Sequence, residues 1–231
     1  MCGRYTLGNP DPQTLAKRFE LEIRESVRLE PRFNIAPTDP VLAIRRREDG
    51  ARQPGLLRWG LMPGRWAEEG RPLINARAET IATQPAFAES FAERRCLMPA
   101  DGFYEWLTDE RGKRPVWFSR PDGEPFAFAG VWAELRRSNG SQTEPITSCA
   151  LATCPPNELM RPIHDRMPVI LTPGAEAAWL DPEAEVDELR SLLVPAAEDA
   201  LIAREVPDLV NDVRQDGPEL IGPREDQASL F

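Results

Sequence analysis

Four residues in this chain have the types to carry a reaction between an amine, a thiol and a carbonyl carbon. Cys2 is the first. Loss of Met1 would leave an α-amine and a thiol on adjacent carbons. In water such an amine titrates near ~8 and a thiol near ~8.5, so each has a reactive minor form at neutral pH. An aldehyde suits the pair: the amine condenses to an imine, and the thiol then closes a five-membered thiazolidine ring. Either group alone would give a weaker, more reversible adduct. Taken by itself, Cys2 reads first as the second residue of a frayed terminus. Gly3 and Arg4 count slightly against that, because glycine permits close backbone approach and arginine offers a phosphate contact.

His164 is the sole histidine, in Arg161-Pro162-Ile163-His164-Asp165-Arg166-Met167-Pro168. One imidazole rules out sites that need two and leaves a single general acid/base for neutral pH. A hydrogen-bonded surface histidine is an equally good reading. Glu105 lies in Gly102-Phe103-Tyr104-Glu105-Trp106, flanked by aromatics in a strand-like run. Burial there would raise its pKa and make it a proton shuttle. Strand alternation also allows an outward-facing glutamate, with Phe103 and Glu105 on one face and Tyr104 and Trp106 on the other. Asn75 follows two apolar residues, as at a strand end. Its amide could hold a sugar hydroxyl or a carbonyl oxygen, and Arg77 would share its face. Trp66, after Pro63-Gly64-Arg65, could stack on a base or belong to the core. No phosphate loop, dinucleotide fingerprint or metal-ligand cluster is present, and no cofactor is implied.

These residues need elements to hold them. Asp11-Pro12 predicts a helix with Leu15, Phe19 and Ile23 on one face. Val41–Arg47 reads as a strand ending at the Asp49-Gly50 turn, with Leu56–Gly60 returning. Leu73–Ala76 is short and apolar, and Glu79–Arg94 is partly helical. Strand-like runs follow at Arg95–Pro99, Gly102–Leu107, Pro115–Ser119, Phe126–Ala133, Thr147–Thr153 and Met167–Leu171. Pro155–Met160 reads as a turn into a short helix. Pro173–Leu180 and Pro182–Leu193 read as helices. Many short strands with few helices predict an α+β fold on a mainly antiparallel sheet. We expect one domain over residues 1–222 and a frayed tail over 223–231.

With 231 residues and 41% hydrophobic content, the chain is long enough to bury a real core. No stretch has the apolar length to span a bilayer, and the N-terminus lacks the pattern of a secretory signal. We therefore expect a cytoplasmic protein with reduced thiols. Cys96, Cys149 and Cys154 read as buried apolar residues on strands. The net charge of −10 argues at first against a nucleic-acid partner. Its distribution softens the argument: residues 173–231 hold 15 acidic and 4 basic residues, while residues 1–172 hold 23 acidic and 24 basic. A basic cleft in the larger part is permitted.

Taken together, these stretches resemble the SRAP family, the SOS response-associated peptidases or abasic-site processing proteins. The likeness rests on Met1-Cys2-Gly3-Arg4-Tyr5, Arg32 to Pro37, Trp59 to Gly64, Leu73 to Thr80, Ala100 to Trp106, Ile163 to Leu171 and Gly217 to Ile221. The blocks occur in family order and cover almost the whole chain. The resemblance implies a compact α+β fold with a positively charged channel for single-stranded DNA that carries abasic sites; we expect a monomer that is nucleoid-associated when acting there. It implies a thiazolidine crosslink through Cys2, with Asn75 engaging the opened sugar and Glu105 and His164 assisting by proton transfer. It also implies removal of Met1, by self-cleavage or by a general aminopeptidase, and a weak lyase activity through the imine. Arg4, Asn34, Arg77 and Arg166 match positions near the DNA backbone. One departure stands out: many relatives carry two adjacent tryptophans where this chain has Arg65-Trp66, so one stacking ring is left. The acidic C-terminal quarter should face away from DNA.

Two other functions use the same residues. A cysteine peptidase or amidase with an N-terminal nucleophile would set Cys2 against an amide with His164 as base. A non-covalent single-stranded DNA module would leave Cys2 incidental.

Overall fold

The computed structural model of the chain describes residues 2–21, 29–63, 72–135 and 145–224. The chain starts with strand β1 (Tyr5–Leu7) and helix α1 (Pro12–Phe19). Local chemistry starts that helix: the Asp11 carboxylate accepts the Thr14 N–H at 2.8 Å, and Pro12 occupies the first turn. Leu15 and Phe19 are its buried face, and Ile23 lies outside the described residues. Strands β2 (Arg32–Ile35), β3 (Pro40–Arg46), β4 (Arg52–Trp59) and β5 (Asn75–Arg77) follow. The β3–β4 hairpin turns where Asp49-Gly50 predicts it, with Gly50 at φ 85°. Then come α2 (Ala88–Glu93), β6 (Arg95–Ala100), β7 (Gly102–Asp109), β8 (Gly112–Ser119), β9 (Phe126–Leu135) and β10 (Ile146–Cys154). The two-residue strands β11 (Met167–Pro168) and β12 (Ile170–Leu171) lead to α3 (Pro173–Leu180), α4 (Val186–Ser191) and β13 (Ile202–Glu205). Short 3-10 turns at Asp208–Asn211 and Pro218–Ile221 close the described chain.

These strands form two layers. The first is antiparallel, in the order β13-β8-β7-β1-β2. In the second, β4, β3, β6, β9 and β10 pair in turn and β10 returns to β4, so five strands close on themselves and leave no edge among them. The β10–β4 and β10–β5 pairings are parallel, which makes this layer mixed. Aromatic rings join the layers: Tyr5 meets Trp59 at 5.2 Å and Phe128 at 5.6 Å, and Phe103 meets Phe128 at 6.0 Å. The fold is α+β with helices flanking a largely antiparallel core, as the residues predict. Cys96, Cys149 and Cys154 are buried free thiols on β6 and β10.

The differences from the sequence reading have local causes. The Met167–Leu171 run is two strands because the chain changes partner at Val169. Its N–H donates to Ala152 in β10, while its carbonyl accepts from Ala129 in β9. Pro155–Met160 leads into turns rather than a helix; the Asn157 side chain accepts the Met160 N–H at 3.0 Å. Only Val186–Ser191 of the Pro182–Leu193 segment is helical, and Leu189 is the buried residue that anchors it. Strands β1, β2 and β13 are additional to the expected set.

The outer face of the first sheet is covered by the C-terminal segment. Val206, Val210 and Leu220 pack on Tyr104, with Phe33, Trp106 and Trp117 around them. Trp117 lies so close to β7 that a Cβ on Gly102 would sit 2.2 Å from its Nε1. Gly102→Ala should therefore cost ~1–3 kcal/mol through overpacking. A thermal melt should fall by about 2–4 °C per kcal/mol for a chain of this size. An unchanged melt would mean that Trp117 can move aside.

Candidate functional site

Cys2 lies three residues before the start of β1, and β1 is held on both sides. On one side Tyr5 pairs with Phe103 of β7 and the Tyr104 N–H donates to Arg4 O at 3.0 Å. Continuing that antiparallel register carries residues 2 and 3 alongside Glu105. On the other side β1 pairs with β2. Beyond Leu7 the chain is pinned by Asp101, whose carboxylate accepts the Thr6 hydroxyl at 2.5 Å and the Gly8 N–H at 2.6 Å. Cys2 is accordingly fully buried and not a frayed end. Burial pushes its thiol well above the ordinary range, and the Glu105 charge pushes the same way; a hydrogen bond from the Arg4 backbone opposes them.

Glu105 is 3% exposed. Strand alternation allows it a solvent-facing position, but it shares a face of β7 with Phe103, whose ring packs against Phe128 of the other layer, so Glu105 points inward. Burial raises the Glu105 carboxyl above its usual range; a protonated His164 ring would oppose the shift, and Asp165 reinforces it. Asn75 arrives from the other layer. As the first residue of β5 it pairs with Leu151 of β10, and its Nδ2 donates to Cys2 O at 3.0 Å. Its Oδ1 is buried and has no hydrogen-bond partner among the described residues. A buried acceptor left empty is costly unless a ligand fills it. A hydroxyl is the natural donor.

His164 sits in the loop before β11, which pairs with the end of β10. The Arg166 N–H donates to its Nδ1 at 2.9 Å. In the neutral ring this places the proton on Nε2. Asp165 Oδ1 is also 3.0 Å from Nδ1, a contact that needs a proton on that nitrogen. The backbone donor is fixed whereas Asp165 is 89% exposed and screened, so the backbone bond governs. The structure thus gathers Cys2, Asn75 and Glu105, with His164 within electrostatic reach of Glu105.

The expected DNA contacts are less uniform. Arg77 is exposed at the end of β5. Arg4 is half-buried, and its Nη1 donates to Asn34 Oδ1 at 2.6 Å and Val210 O at 2.8 Å. Asn34 is 1% exposed and donates to the carbonyls of Val210, Asp212 and Gln215. It holds Arg4 and the C-terminal segment rather than facing outward. Arg166 grips Glu79 and Thr153. Trp66 lies outside the described residues. Sequence reasoning missed Asp101 and Glu79, whose partners lie some 90 residues away in the chain and leave no local signal.

Comparison with known proteins identifies the family of this chain. The family model described as SOS response associated peptidase (SRAP) matches residues 1–213. The abasic site processing protein YoqW of Bacillus subtilis is 40% identical over 228 residues, covering 96% of this chain and 99% of its own length. The abasic site processing protein YedK of Escherichia coli is 30% identical, covering 96% of this chain and 100% of its own. A solved structure from Bacteroides thetaiotaomicron superposes with a TM-score of 0.84 over 96% of this chain and 100% of that one; at 24% identity it speaks for the fold alone. The chain belongs to the SRAP family.

Proposed function

We propose that this protein processes abasic sites by bonding covalently, through Cys2, to the ring-opened sugar of single-stranded DNA. The observation that carries the proposal is the meeting of a buried thiol, a carboxylate with raised pKa and an amide with an unfilled acceptor. Relatives named as abasic site processing proteins support the substrate. In the reaction, Met1 is first lost, by self-cleavage in this reading. The freed amine of Cys2 adds to the aldehyde carbon, and Glu105 and His164 move protons so that the oxygen leaves as water. The thiol sulfur then bonds the imine carbon and its proton passes to the ring nitrogen. No redox step and no cofactor is involved. Asn75 Oδ1 accepts from a sugar hydroxyl while its Nδ2 keeps Cys2 in place. Arg77 meets phosphate, and Arg4, seated by Asn34, frames the strand end.

The ring removes the imine that would otherwise eliminate the 3′ phosphate, so strand cleavage is a weak side reaction. The protein acts as a monomer in the cytoplasm, at the nucleoid. The test is a denaturing gel of the protein, shown by intact mass to begin at Cys2, after incubation with single-stranded DNA bearing one abasic site. A heat-stable shifted band is expected. If no band forms and short peptides are cleaved instead, the N-terminal-nucleophile peptidase reading replaces this one.

A further inference from the structure

We propose that Arg166 and Glu79 are positioning residues that lock His164 in one orientation and one tautomer. The inference rests on the reading that His164 moves protons in the crosslinking reaction. Resemblance alone put Arg166 near the DNA backbone, yet its guanidinium is already spoken for. Nη1 donates to Glu79 Oε1 at 2.5 Å, and Nη2 donates to Glu79 Oε2 at 2.9 Å and to Thr153 O at 2.5 Å. The fork-to-fork geometry is the strong form of this pair. The Arg166 side chain is 12% exposed, and Glu79 is held below the usual carboxylate range by that hydrogen bond.

The clasp ties two loops to one strand end. Thr153 O of β10 accepts both from Arg166 and from the Ala78 N–H just beyond β5. Asn75 begins β5, and Glu79 follows in the turn after it. The side chain of Arg166 therefore fixes its own backbone relative to the strand that carries Asn75. The same residue's N–H is the donor to His164 Nδ1. A peptide N–H can only donate, so a backbone held in place keeps Nδ1 an acceptor and leaves the proton on Nε2. With the clasp open, the loop is free to move, and the ring can exchange tautomers or turn toward Asp165.

Because the chain has one histidine, imidazole nitrogen signals in a long-range proton–nitrogen NMR spectrum need no assignment. The spectrum is recorded on the free protein, without DNA. In the neutral form of the ring, wild type should show a single tautomer with Nε2 protonated. Arg166→Lys keeps the charge but loses the fork, and Glu79→Gln loses the acceptor charge. Both should give tautomer-averaged signals and slower crosslinking. Should Glu79→Gln fail to fold, Arg166→Lys carries the test. An unchanged tautomer in folded Arg166→Lys overturns the proposal; if DNA affinity has also fallen, Arg166 is a phosphate contact. His164→Gln tests the underlying reading separately: undiminished crosslinking there would remove His164 from the chemistry and leave the clasp as a structural feature.

Discussion

Cys2→Ser should form an adduct with abasic DNA that borohydride traps and heat otherwise removes. The amine of residue 2 survives the substitution, so the imine still forms. The serine hydroxyl is a far poorer nucleophile toward that imine, and the ring it would close reopens readily. In wild type the thiol is tethered three bonds from the nitrogen, and well-oriented tethering is equivalent to effective concentrations of ~10⁵–10⁸ M. Loss of the sulfur should lower the yield of heat-stable product by more than ~100-fold, a small part of the advantage that such tethering supplies. Strand cleavage should rise, because the imine persists. The fold should tolerate the change. Asn75 holds the backbone carbonyl of Cys2 rather than its side chain, and the Arg4 backbone N–H that reaches the sulfur can serve an oxygen. Burying a hydroxyl in the fully enclosed position costs about 1–3 kcal/mol if it stays unpaired, which a melt would reveal. A heat-stable adduct from Cys2→Ser would overturn the thiazolidine mechanism.

The sequence was informative where structure is decided locally. Asp11-Pro12 starts α1 through its own side chain, Pro173 starts α3, and Asp49-Gly50 turns the β3–β4 hairpin. It was silent where distant segments decide. Strand β1 has three residues and exists through its pairings with β2 and β7. β13 exposes Ile202, Ala203 and Arg204 in succession and shows no alternation. The parallel match of Asn75 with Leu151 joins segments 76 residues apart. Site chemistry follows the same division. The thiol, carboxylate, imidazole and amide are legible as types. That Asn75 touches Cys2 depends on two sheets packing, and no spacing encodes it. Glu105 shows the limit most plainly. Period-two reasoning pairs it with Phe103 but leaves open which face is wet, and here the Phe103 face packs inward on Phe128 of the other layer, while residues 206–221 dry the other face. The Arg166–Glu79 pair marks the opposite error, since an arginine suited to phosphate met a carboxylate 87 residues away first.

Glu105→Gln should slow crosslinking by ~10²–10⁴-fold, the usual contribution of a placed acid/base, while leaving the folded state as stable or more so at neutral pH. Both effects come from the same burial. The carboxyl at 3% exposure has its pKa raised above 4.5, chiefly by desolvation. A proton held more tightly than in water lets the group protonate a departing hydroxyl and then accept the thiol proton nearer to neutral pH than an exposed glutamate would. The sign of the stability effect follows from proton counting. Between the unfolded value near ~4.3 and the raised folded value, the folded protein binds more protons than the unfolded chain, so stability falls as pH rises through that window. Glutamine has no charge to desolvate and avoids that fall. Melts of the two proteins should differ at neutral pH in favour of glutamine and converge on acidification below the unfolded value. The gel assay should show the slow rate across the same range. Unchanged crosslinking by a folded Glu105→Gln protein would exclude the carboxyl from proton transfer and leave that task to His164. A melt that drops at neutral pH would mean that the partners of Glu105 in the site outweigh the cost of burying it charged.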